Sequence, residues 1–285
     1  METHDVALIG CGLLGSAFAR AFARSGHSVV AWNRTFERAE ALADDGIVPV
    51  RSAAEAVRSA PLVVACTIDV EATRSALESV DDWGGKTLVN LSTGLPREIQ
   101  ELACWATERG ARYLDGGPCC YPRNVGAPET VIYYSGSPKA WTNHEQVLIC
   151  LGGSSRFVSE QVAMAKTMLL GAVVFLIPAL GAFAEAAKYM HGQGISGEMI
   201  VAAARPFVSQ MPDLLEDAAT AIVSDSHETD QATLDVWADG LRTALAEVRR
   251  SGHPARVSTA AMATLDAAEA AGLGKLDFSA QVKVV

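Results

Sequence analysis

Val6-Ala7-Leu8-Ile9-Gly10-Cys11-Gly12-Leu13-Leu14-Gly15 is an apolar β-type run that closes on the spacing G-x-G-x-x-G. It reads as a strand, a tight turn and a helix start, and each glycine has its own reason to be there. Gly10 permits the turn, Gly12 lets a pyrophosphate approach the backbone, and Gly15 lets the helix pack close to the strand. Free N–H groups and the positive end of the helix dipole then face the phosphates. Glycine-rich turns also occur as plain structure, so the context matters. The next segment places Ala17, Phe18, Ala21 and Phe22 on one helical face, as the motif requires.

Outward from this turn, Ser28 to Trp32 reads as a second strand ending at Asn33-Arg34-Thr35, with Arg38 a turn later. An NAD site puts Asp or Glu here to hold the ribose 2′-hydroxyl, and that carboxylate repels a 2′-phosphate. Two cations and a hydroxyl suit a doubly charged phosphate instead, so NADPH is the expected cofactor. The plain alternative is a solvated, charged helix start.

Further along, strands are expected at 47–50, 62–66, 86–91, 113–115 and 129–135. Helices are expected at 36–45, 53–59, 71–77 and 96–109. Ser52 and Glu55 form a capping-box pattern before the second of these helices. Such alternation implies a parallel, doubly wound sheet, with ligands beyond the carboxyl ends of its strands. There Cys66-Thr67, Ser92-Thr93 and the stretch Gly116 to Pro122 converge. Ser92 or Thr93 can bond a carboxamide or substrate there, or simply cap the helix that follows.

From about residue 161 strand signals nearly vanish. A helix over about 161–191 is expected, bent at Pro178 and ended by Gly192 and Gly194. Further helices are expected at 197–203, 206–224, 227–251 and 255–272. The division is thus a dinucleotide-binding α/β domain, 1–160, and a helical domain, 161–285. Thr167 to Ala184 carries no charge and approaches the length of a membrane span. Gly171, Pro178 and Gly181 interrupt it, so a helix buried in protein, with a second chain covering it, is the favoured reading and no membrane is expected.

Composition narrows the classes. A net charge of −10, without clustered Lys and Arg, argues against nucleic acid. Cys11, Cys66, Cys104, Cys119, Cys120 and Cys150 show no C-x-x-C metal spacing, and no signal peptide is read, so no metal is expected and a reducing cytoplasm is.

Taken together, these segments resemble the NADPH-dependent imine reductases, relatives of the β-hydroxyacid (3-hydroxyisobutyrate) dehydrogenases. The motifs that carry the resemblance are Gly10 to Gly15, Trp32-Asn33-Arg34-Thr35 with Arg38, and Asn90 to Pro96. Leu114-Asp115-Gly116-Gly117, Ile132 to Ser137 and the long helix complete the set. The resemblance implies a Rossmann domain joined by the long helix to an all-helical domain, in a homodimer whose interlocked chains share their active sites. It implies hydride transfer from NADPH to the carbon of a C=N bond in a cyclic imine or iminium. Aligned on Leu169-Leu170-Gly171, Lys166 takes the nicotinamide-facing position, where imine reductases carry Asp or Tyr. Lysine there is the general acid of the hydroxyacid dehydrogenases. Yet Leu170 replaces their asparagine, and Gly117-Pro118-Cys119-Cys120-Tyr121-Pro122 replaces their carboxylate-gripping Ser-Gly-Gly.

The candidate catalytic groups are therefore Lys166, Ser92 and Thr93. The cofactor contacts are Gly10, Gly12, Leu13, Leu14, Gly15, Asn33, Arg34, Thr35, Arg38, Cys66, Thr67 and Ser92. Cys119, Cys120, Tyr121, Met164 and Met168 are candidate pocket walls. Trp237, with Asp235 and Asp239, is a candidate contribution to the partner's pocket, a packed tryptophan between solvated acids being the plain alternative. Imine or iminium reduction is the expected function. The alternatives are a β-hydroxyacid-type dehydrogenase with Lys166 as acid, and a protein that binds NADPH without turnover.

Overall fold

The computed structural model describes residues 3–81 and 83–285, in two compact units, Met1–Val173 and Val174–Val285. The apolar runs of the first unit become strands because both faces of a covered sheet exclude water. They are β1 (Val6–Ile9), β2 (Val29–Trp32), β3 (Val48–Pro49), β4 (Leu62–Ala65), β5 (Thr87–Asn90), β6 (Arg112–Pro118), β7 (Ile132–Gly136) and β8 (Arg156–Ser159). Their order is β3-β2-β1-β4-β5-β6-β7-β8. The helices of this unit are α1 (Leu13–Arg24), α2 (Phe36–Glu40), α3 (Ala53–Ser59), α4 (Val70–Leu77), α5 (Pro96–Glu108) and α6 (Pro138–Leu148).

From β3 to β6 neighbouring strands are parallel, as expected of a Rossmann sheet. The expectation of a wholly parallel sheet fails at β7, which runs antiparallel to β6. The segment joining β6 to β7 holds a single 3-10 turn, Pro122–Asn124, and no α-helix, so the chain doubles back instead of crossing over. β8, not expected from the sequence, extends this edge in parallel to β7. The Ser52–Glu55 capping box does not form either. Both side chains are exposed, where water serves the open N–H groups. Instead Glu98 Oε2 accepts from the Leu95 N–H at 2.8 Å, at the start of α5.

After the sheet come α7 (Met164–Gly192), α8 (Gly197–Ser224), α9 (Leu234–Arg250) and α10 (Arg256–Ala270), then a 3-10 turn at Phe278–Val284. The break expected between 203 and 206 is absent: α8 continues through Pro206 and Pro212. Each proline removes one donor, and along so exposed a helix water can take the freed carbonyl. α9 starts later than 227, because His227 is buried in the loop before it and its Nδ1 lies 2.8 Å from Ser279 Oγ. Within the second unit, Glu185 of α7 accepts from the N–H groups of Val257 (2.8 Å) and Ser258 (3.1 Å), capping α10 from a distance.

α7 has a mean hydropathy of 2.2 over its most apolar stretch, enough to cross a membrane by length and composition. The expected burial of this helix is not met within one chain: Val174, Phe175, Leu176, Ile177, Leu180 and Phe183 are exposed.

Where α7 begins it presses on β6. A Cβ on Gly117 would lie 2.6 Å from the Ala165 carbonyl oxygen and 3.2 Å from Leu169 Cβ. Gly117→Ala is therefore expected to cost about 1–3 kcal/mol, since backbone cannot yield as a side chain does. Thermal unfolding should show a drop of roughly 2–4 °C per kcal/mol.

Candidate active site

The glycine turn has the conformation its spacing demands. Gly10 sits at φ +104°, and a Cβ there would meet the Cys66 carbonyl. Gly15 has no room for a Cβ beside the Gly10 carbonyl, whereas nothing lies within 4 Å of the Cβ position of Gly12. That open side is where a phosphate fits against backbone. No side chain caps α1, so the N–H groups of its first turn remain open to an anion.

Asn33 spans this turn and the end of β2. Its Oδ1 accepts from the Cys11 N–H at 2.9 Å, and its Nδ2 donates to the Thr35 carbonyl at 2.9 Å. Arg34, Thr35 and Arg38 are exposed, and neither arginine has an acid partner among the described residues. Leu13 is 86% exposed and Ile68 81% exposed, two bare apolar side chains, one opening α1 and the other on the loop after β4. These features fit NADPH: open donors for the pyrophosphate, free cations for a 2′-phosphate and apolar lips to cover.

Ser92 is buried, and its hydroxyl is taken up by a local network. The Thr67 N–H donates to Ser92 Oγ at 2.8 Å, and the hydroxyls of Thr67 and Thr73 lie 3.0 and 2.9 Å from it. The side chain therefore clamps the end of β5 to the loop after β4. Thr93, next in the chain, is exposed. Burial pushes the Cys66 thiol up to about 12 and the Cys11 thiol up to about 11, so both stay protonated and act as small apolar groups.

Lys166 is fully buried. Its Nζ donates to the carbonyls of Ser92 (2.8 Å) and Gly116 (2.9 Å) and stands 3.7 Å from Asp115 Oδ2. Asn90 Nδ2 donates to the other Asp115 oxygen at 2.9 Å, with the Tyr113 hydroxyl 3.5 Å away. Burial pushes the Asp115 carboxyl up to about 7, against the pull of Lys166. Burial also lowers Lys166, against the pull of Asp115. The ammonium is thus turned into the protein, toward three oxygens.

Around this buried knot, Cys119 and Tyr121 are exposed, Cys120 and Met164 half-buried, and Met168 partly exposed. The second unit carries its own apolar groove of about 560 Å³, lined by Phe207, Val236, Trp237, Leu241, Leu265 and Phe278. Trp237 meets Phe278 edge-on, ring centroids 5.8 Å apart. The two acids beside it are engaged: Asp235 pairs with Lys275 at 3.0 Å, and Asp239 with Arg242. Ile68, Thr73 and Phe207 had no signal in the sequence. Asn90 and Asp115 had one, being polar residues that directly follow the apolar pairs Leu88-Val89 and Tyr113-Leu114.

Two family models match. The NAD binding domain of 6-phosphogluconate dehydrogenase covers residues 5–164. The C-terminal domain of NADPH-dependent reductive aminase-like proteins covers residues 162–285. A NADPH-dependent reductive aminase from Aspergillus oryzae is 26% identical over 99% of this chain and 97% of its own length. An imine reductase from Pseudomonas sp. superposes with a TM-score of 0.93 at 30% identity, covering 99% of both chains. A reductive aminase from Aspergillus terreus, in complex with NADPH and ethyl levulinate, superposes with the same TM-score at 28% identity, covering 99% of both chains.

Gly12 separates ligand from fold. Gly12→Ala places its methyl in open space and should leave the melting midpoint unchanged. NADPH affinity, read by fluorescence titration, should fall by about tenfold or more as the methyl displaces the pyrophosphate.

Proposed function

We infer the function from a premise the matches establish: the chain belongs to the imine reductase family, built on a 6-phosphogluconate-dehydrogenase-type NAD-binding domain. It is an oxidoreductase that uses NADPH to reduce C=N bonds. Beyond that, we propose a cyclic, largely apolar imine or iminium as substrate. In this reading residues 1–160 are the cofactor-binding domain and residues 161–285 the helical substrate and dimerisation domain.

The observation that favours C=N over C=O is the placement of Lys166. A free ammonium beside the nicotinamide would repel an iminium cation. Here two carbonyls and the Asp115 carboxylate enclose that charge, so this ammonium is not turned toward a substrate. When bound, the cofactor supplies the hydride. The chain's own groups do the rest. Thr93 is the free hydroxyl at the end of β5, placed to hydrogen-bond the nitrogen or the carboxamide. Cys119, Cys120, Tyr121, Met164 and Met168 form an apolar wall that excludes water and favours a compact ring. Lys166, Ser92, Thr67 and Asn33 act through the backbone segments they hold.

We further propose that a second copy of the chain covers the exposed apolar faces of α7 and α8, giving a homodimer. Glu185 and Lys188 lie within α7, and Glu185 is committed to α10, which disfavours a lipid span. In this arrangement the groove around Trp237 and Phe207 faces the partner's cofactor, where a flat cation can stack on the indole. A cytoplasmic location is part of the same reading.

NADPH oxidation should occur with cyclic imines and iminium salts and not with β-keto acids or semialdehydes. Turnover confined to the carbonyl panel would make the protein a hydroxyacid-type dehydrogenase, and binding without any turnover a NADPH sensor. Lys166→Met is expected to keep reduction of N-alkylated iminium salts within about tenfold, because Asp115 can take up a proton once the ammonium is gone. A far larger loss with these salts, which need no proton, makes Lys166 a positioning residue; a loss confined to substrates that must be protonated assigns it the acid role. Separately, Ile177→Arg should convert a dimer to a monomer in sedimentation equilibrium, by placing a charge in the proposed interface.

A further inference from the structure

We propose that Arg51 is a third cationic contact for the 2′-phosphate of NADPH, alongside Arg34 and Arg38, and so a determinant of NADPH over NADH; this rests on the cofactor reading above. The sheet supplies the first argument. β3 runs parallel to β2, with Val30 opposite Val48 and Ala31 opposite Pro49. The Val50 N–H continues the ladder by donating to the Ala31 carbonyl at 3.0 Å. Carrying that register forward sets Arg51 level with Asn33, at the edge from which Arg34 and Thr35 leave the sheet.

The second argument is how the side chain is held. The guanidinium carbon of Arg51 stands 3.9 Å from the centroid of the Phe36 ring, the residue immediately after Thr35. Only Ala39 of α2 is buried in the core, so Phe36 is a half-exposed platform. A guanidinium stacked on a ring keeps its edge N–H groups free. It also loses less freedom when it bonds a planar or phosphate acceptor.

Charge supplies the third. Acidic residues outnumber basic ones by 33 to 23 in this chain. Nevertheless Arg34, Arg38 and Arg51 have no carboxylate partner among the described residues. Three unpaired guanidinium groups around the start of one short helix, in a chain with acids to spare, describe a site waiting for an anion.

Calorimetric titration with 2′,5′-ADP and with 5′-AMP tests this without turnover. Arg51→Ala should weaken 2′,5′-ADP by about tenfold, the loss of one exposed charge-assisted contact, and change 5′-AMP by less than about twofold. Arg51→Lys keeps the charge but not the stacked plane, and should recover only part of the loss. Equal weakening of both ligands would make Arg51 an adenine or structural residue and overturn the proposal, as would no change in either. Wild-type protein that binds the two ligands alike would remove the 2′-phosphate site altogether, and with it the NADPH reading.

Discussion

An ammonium group with no water around it must be surrounded by oxygen. Lys166 meets that requirement with the carbonyls of Ser92 and Gly116 and the carboxylate of Asp115. The constraint reaches far, because the acceptors come from two different strands. Ser92 lies just past β5, Gly116 and Asp115 lie on β6, and the lysine itself is in the first turn of α7. One side chain thus draws together the end of β5, the middle of β6 and the start of the long helix. Glycines make the approach possible, since a Cβ on Gly117 would strike α7 and one on Gly116 would strike Leu91. Asn90 and Tyr113 then hold the carboxylate that balances the charge.

Around this knot the polar groups look inward. Ser92, Thr67 and Thr73 spend their hydroxyls on one another, and the thiols of Cys11 and Cys66 stay protonated and apolar. What faces outward is sparse: Thr93, Leu13, Ile68, Tyr121 and Cys119.

The glycine turn was legible because its chemistry is local: three glycines, an apolar strand before them and an apolar helix face after. The arginines at the end of β2 were legible for the same reason. The contacts of Lys166 and Ser92 were not, because their partners lie 50–74 and 19–25 residues away in the chain, brought near only by the sheet. A lysine at the start of an apolar helix reads as a catalytic acid or as a side chain snorkelling to solvent, and neither reading reveals its burial beside Asp115. The reversal at β7 was hidden as well, since strand direction is set by the connection, and 119–131 carries no pattern that distinguishes a loop from a crossover. Pro206 misled in the opposite way: its local rule, that proline ends helices, gives way where water can satisfy the carbonyl it leaves free.

Asn33 carries a consequence for anyone redesigning cofactor use. Its amide joins the glycine turn, through Cys11, to the segment that begins α2, through Thr35. The glycine turn and the segment that begins α2, to which the proposed reading assigns the diphosphate and the 2′-phosphate, therefore share a single hinge pin. Exchanging the neighbouring cations alters selectivity alone, whereas exchanging Asn33 loosens both loops at once. Variant libraries that treat these positions as interchangeable letters will confuse a lost preference with a lost grip.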